Sequence, residues 1–80
     1  MYRKYANGKS VFKIMSETSA LELQLLGTRC LRHVIEATIL PERQLIRDLL
    51  DLAFPGILVS DEEEFEATLE KCRLQDSSEN

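Results

Sequence analysis

The side chains best equipped for chemistry are a single histidine, His33, two cysteines, Cys30 and Cys72, the acidic run Asp61-Glu62-Glu63-Glu64, and the arginines Arg29, Arg32, Arg43 and Arg47. A lone imidazole can act as a base or as a pH sensor. Nucleophilic catalysis also needs a nucleophile presented on a sharp turn beside that base, and no glycine-rich turn is present to do this. Cys30 and Cys72 lie 42 positions apart, with no CxxC spacing and one histidine to assist, so a zinc site is not expected. They read as two small apolar residues of a reduced core, with a disulfide or redox pair as the alternative. A cytoplasmic setting follows. Calcium loops need spaced oxygens and a glycine bend, which the acidic run lacks, so that run reads as helix capping and solvation. Catalytic, cofactor-binding and metal-binding residues are all expected to be absent, and the chain is not expected to be an enzyme.

The elements that would position these residues follow from patterning. Residues 1–15 carry Arg3, Lys4, Lys9 and Lys13 without an acid and read as a basic, flexible arm; Asn7-Gly8, between Tyr5 and Val11-Phe12, is a hairpin signal within it. Ser19 followed by Glu22 resembles a capping box. After it, Leu23, Leu26, Cys30, Leu31, Val34 and Ile35 recur at helical spacing, which predicts helix one over residues 19–37. Gly27 in its middle would be explained by close approach of another helix. Pro41 opens a second helix whose apolar stripe is Leu45, Ile46, Leu49, Leu50 and Ala53, and Phe54-Pro55-Gly56 stops it. Ile57, Leu58 and Val59 then fold back on the core. Ser60 as N-cap, with Glu63 closing the box, begins a third helix with a narrow stripe of Phe65, Leu69 and Cys72. Residues 75–80 read as a disordered polar tail, leaving residues 16–74 as the helical domain.

Eighty residues form one small domain with a limited core. The longest run without charge, residues 52–60, is too short to span a bilayer, and the N-terminus lacks the apolar stretch of a secretory signal. The net charge of −4 disfavours nucleic acid as a partner, since duplex binding draws most of its affinity from phosphate contacts. The expected fold is therefore all-α: a small antiparallel three-helix bundle with a basic N-terminal arm. One short helix covers two long ones poorly, so the bundle is expected to be completed as a homodimer. Its core and dimer interface are assigned to Leu23, Leu26, Gly27, Leu31, Val34, Leu45, Ile46, Leu49 and Leu50, and contact with another partner to Arg29, Arg32, Arg43 and Arg47.

Gly27, Leu31 four residues later, the pair Leu45-Ile46 and the pair Leu49-Leu50 resemble the AriR-type family of small enterobacterial biofilm and acid-resistance regulators. The stretch LLGTRCLRHVIEATILPERQLIRDLLDL carries the likeness, Glu63 to Cys72 extends it more loosely, and residues 1–15 have no counterpart in the family. The resemblance implies a helical homodimer that acts as a connector of two-component signalling, binding a signalling protein of an Rcs-like phosphorelay and modulating exopolysaccharide, biofilm and acid-resistance gene expression. It supplies no catalytic residues. Two alternatives share the same physics: a DNA-associated transcription regulator, and a plasmid- or phage-encoded helical inhibitor or antitoxin.

Overall fold

A computed structural model describes the backbone of residues 1–78 and the side chains of residues 1–74. In chain order the elements are β1 (Tyr2–Tyr5), β2 (Ser10–Ser16), β3 (Ser19–Leu26), β4 (Arg29–Glu36), α1 (Leu40–Asp51), β5 (Ile57–Val59) and α2 (Glu62–Ser78). The strands form one antiparallel sheet in the order β4-β3-β2-β1-β5. The expected all-α three-helix bundle is thereby overturned: the molecule is a sheet with one helix against each face.

The segment predicted as helix one is the hairpin β3–β4. Leu21-Glu22-Leu23-Gln24-Leu25 alternates with the period of two that a strand requires, and Leu23 is fully buried while its neighbours are only half-buried. Gly27 is not a helix-packing residue. It lies in the two-residue loop between Leu26 and Arg29 at φ +61°, with Thr28 following, the arrangement of a type II′ hairpin turn. Ser19 caps no helix and instead pairs with Ser16 and Glu36 across the sheet.

Residues 1–15 are not an arm either. They form β1 and β2, with β2 at the centre of the sheet and Phe12 nearly inaccessible. The Asn7-Gly8 signal is the turn that joins them. The Gly8 N–H donates to the Tyr5 carbonyl at 3.0 Å, Gly8 adopts φ +75°, and the Lys9 N–H donates to the Asn7 side chain at 2.9 Å.

Downstream, the sequence expectations hold more closely. Pro41 lies in the first turn of α1, and the helix ends at Leu52 in the left-handed region (φ 52°), whose N–H returns to the Asp48 and Leu49 carbonyls. Phe54-Pro55-Gly56 then reverses the chain so that Ile57–Val59 pairs with β1 as the edge strand β5. The start of α2 is shifted by one residue from the expected cap. Asp61 Oδ1 accepts from the Glu64 N–H at 2.8 Å, while the Ser60 hydroxyl donates to the Glu64 carboxylate. Helix α2 continues through Ser78, so residues 75–78 belong to the helix and only residues 79–80 of the expected tail lie outside the described residues.

Alternation divides the core by face. Phe12, Ile14, Ala20, Ile35 and Ile57 point toward α1 and pack on Ile46 and Leu49; Val11 and Leu23 point toward α2 and pack on Phe65 and Cys72. Cys72 is joined to Cys30 by a disulfide with a Cα–Cα distance of 5.2 Å, which ties α2 to the outer strand β4. This replaces the expected pair of reduced core thiols.

Candidate functional site

Strand pairing places three reactive side chains in a row on the α1 face. Ser10, Glu22 and His33 share one face of β2, β3 and β4: Glu22 pairs directly with His33, and Ser10, opposite Gln24, lies diagonally across from Glu22. The buried Ser10 hydroxyl donates to Glu22 Oε2 at 2.8 Å, and His33 Nδ1 lies 3.7 Å from Glu22 Oε1. The acid stands between the hydroxyl and the imidazole. A hydrolytic triad requires the imidazole in the middle, accepting the nucleophile's proton. Here the serine spends its proton on a carboxylate and is shielded from solvent, so the row is a polar strut and not a nucleophile.

The same carboxylate acts on Tyr5. Burial, followed by the charges of Glu22 and Asp48, pushes the phenol above its ordinary value, so Tyr5 stays neutral and available as a donor. Its ring meets Phe12 edge-on with centroids 5.1 Å apart. Beyond Tyr5 an open groove of about 480 Å³ lies between α1, the β1–β2 turn and β5. Leu45, Phe54 and Ile57 make it largely apolar, while Asp48 and Asn7 bring polar groups to its walls. Phe54 is 58% exposed, an unusual position for a large aromatic ring beside a cavity. Asp48 is held by Gln44, whose Nε2 donates to Oδ1 at 2.8 Å.

The residues assigned from sequence to a core and dimer seam are dispersed. Ile46 and Leu49 are fully buried within the chain's own α1 face, Leu45 and Leu50 pack half-buried beside them, and Leu23 is buried on the opposite face. Leu26, Leu31 and Val34 are exposed at the β3–β4 side of the sheet, and Gly27 lies in the turn. A single seam through all nine is therefore excluded by the pleat.

The four arginines are not brought together. Arg29 and Arg32 point to opposite faces of β4. Arg43 and Arg47 share a cleft of about 310 Å³ on α1 in which Glu17 and Asp51 balance their charge, and Arg43 Nε reaches the Ala37 carbonyl at 3.4 Å. Among the described residues no three His, Cys, Asp or Glu side chains converge as a metal site would require.

Comparison with known proteins finds no match to a family model, a curated protein or a solved structure. The geometry alone therefore bears on function. Of the features described, the groove is the one with the shape and apolar lining of a binding site. Sequence reasoning passed over Tyr5, Asp48, Phe54 and Ile57; the one signal for them was an aromatic residue placed just before Pro55-Gly56, read only as a helix stop.

Proposed function

We propose that the chain is a non-enzymatic binding module whose groove between α1 and β5 receives an apolar segment of a partner protein. The exposed Phe54 beside a largely apolar cavity carries this reading. An aromatic ring left in water at the lip of such a cavity gains most from a partner's side chain, since aromatic residues concentrate binding energy when desolvated. The electrostatics narrow the partner. Asp48 lines the groove, its charge adds to burial and to Glu22 in raising the Tyr5 phenol, and the chain as a whole is acidic. An apolar anchor flanked by Lys or Arg fits these conditions.

A role in a phosphorelay rests on the family resemblance alone, and the helical dimer that went with it does not survive the fold. A DNA-associated role would need the arginines on one face, where the pleat and the Arg43–Arg47 cleft do not put them. No helix among the described residues is long and apolar enough to cross a membrane. The cytoplasmic setting expected from the sequence rested on reduced thiols, whereas a persistent Cys30–Cys72 bond fits an oxidising compartment.

Selection from a random peptide library on the immobilised protein tests this. Peptides with an apolar anchor beside Lys or Arg should be enriched on the native chain and lost on Phe54→Asp, whose exposed position leaves the core intact. Enrichment that Phe54→Asp does not change would place the binding elsewhere, and no enrichment at all would overturn the reading.

A further inference from the structure

The two edges of the sheet are built differently. At one edge β5 is only three residues long. At the other, β4 runs for eight residues without proline, glycine or lysine, and its register against β3 has no bulge, whereas β2–β3 has one between Ile14 and Ser16. Isolated folded chains usually blunt such an edge by shortening, bulging or interrupting it. Of the devices that blunt an edge, β4 carries only charged side chains, Arg29, Arg32 and Glu36.

The edge also carries a definite chemical pattern. The hairpin loop makes Leu26 and Arg29 a hydrogen-bonded pair, and the Ala37 N–H donates to the Thr18 carbonyl at 2.7 Å at the far end of the same ladder. Odd-numbered residues of β4 therefore direct their backbone groups toward β3, and Arg32, Val34 and Glu36 direct theirs outward. Those same three residues share one face of the sheet, with Val34 62% exposed between a cation and an anion.

We propose that β4 pairs antiparallel with β4 of a second copy of this chain, about a two-fold axis at Val34. Antiparallel pairing about such an axis keeps both copies' faces aligned and lets only residues of equal parity oppose one another. With the axis at Val34, each Arg32 opposes Glu36 of the second copy, and the two Val34 side chains meet in the middle. Both charge pairs and the apolar pair fall on one face. Shifting the axis to Arg32 sets the two arginines against each other; shifting it to His33 opposes Arg32 to Val34 and Cys30 to Glu36. One register alone sets unlike charges against each other at both pairs, and opposite charges directly across a ladder favour it while like charges disfavour it. The outward backbone groups of Arg32, Val34 and Glu36 are those that would complete the new ladder. The result is a continuous ten-stranded sheet that leaves both grooves beside β5 at its outer ends, so the pairing does not depend on what the groove binds.

Sedimentation equilibrium of the oxidised chain across micromolar to millimolar concentration tests this, with charge exchange as the control. The native chain should dimerise. Glu36→Arg and Arg32→Glu should each weaken the dimer at least tenfold by opposing like charges, and the double variant carrying both should restore it, because the exchanged charges again oppose. Both positions are exposed, and circular dichroism of each variant checks the fold; should one single variant fail to fold, the other carries the same test. Amide exchange reads the register independently: Arg32, Val34 and Glu36 should gain protection with concentration. A chain that stays monomeric, or a dimer indifferent to the single exchanges, overturns the proposal.

Discussion

Arg3 Nε donates to the Leu49 carbonyl at 2.9 Å, joining the first strand to the last turn of α1. Its Nη2 reaches the Leu50 carbonyl at 3.2 Å and its Nη1 the Tyr2 carbonyl at 2.9 Å, while the residue as a whole is buried. The C-terminal carbonyls of a helix have no partner within it and carry partial negative charge. A guanidinium satisfies several at once. Arg3→Met, which keeps the stem and removes the donors, is expected to cost about 3 kcal/mol in urea unfolding, because it removes charge-assisted bonds to the Leu49, Leu50 and Tyr2 carbonyls. Arg3→Lys should recover less than half of this, since an ammonium cannot serve the same fork.

Leu52 caps α1 at φ 52°, where a Cβ is unfavourable. Leu52 is 40% exposed and belongs to neither core cluster. Leu52→Gly is expected to raise stability by about 0.5–1 kcal/mol, the relief of the left-handed conformation exceeding the greater chain entropy of glycine. An unchanged or lower unfolding midpoint would show that the packing of Leu52 matters more than its backbone.

The Cys30–Cys72 bond closes a loop of sequence separation 42. Restriction of the unfolded chain by a loop of that size is worth about 4 kcal/mol on the chain-entropy model, and about 2–4 kcal/mol is expected in practice. Reduction should lower the thermal midpoint and free the C-terminal half of α2 first, seen as loss of amide protection around Leu69 and Cys72. Phe65, packed on Tyr2 with ring centroids 5.7 Å apart, should hold the first half longer.

Hydrogen bonds from Ser60 and Lys4 hold the Glu64 carboxyl below its ordinary value, with the Lys4 Nζ 2.9 Å away. A depressed carboxylate contributes stability above its unfolded pKa and loses that contribution as pH falls through the folded value. The side chain is 40% exposed, so solvent limits the effect to no more than about 1 kcal/mol. The stability difference between native and Glu64→Gln should be present at neutral pH and should vanish progressively as pH falls below 4.5, the ordinary value of the group.

What the sequence revealed depended on how local the cause was. Pro41 and Phe54-Pro55-Gly56 bracket α1 through the backbone alone, and Asp61-Glu62-Glu63-Glu64 marks the start of α2 because those acids act on the nearest turn. Leu23, Leu26 and Leu31 fit a helical stripe as well as they fit a strand, and Leu, Glu, Gln and Arg all favour helix, so the β3–β4 hairpin had to be decided by pairing with β2. With a helix over residues 19–37, the Asn7-Gly8 turn has no sheet to join. The Cys30–Cys72 bond was illegible because separation along the chain says nothing of Cα distance. The groove was illegible for a related reason: Tyr5, Leu45, Phe54 and Ile57 come from four stretches that only the crossover from β4 through α1 to β5 brings together.

Backbone amide shifts of the labelled protein, titrated with a peptide carrying an apolar anchor beside a lysine, test the central claim most directly. The largest changes are expected at Tyr5, Leu45, Phe54 and Ile57, with Phe54→Asp weakening the affinity at least tenfold while the remaining spectrum stays that of the native fold. Shifts confined to α2 or the Arg43–Arg47 cleft, or an affinity unchanged by Phe54→Asp, would contradict the assignment of the groove as the binding site.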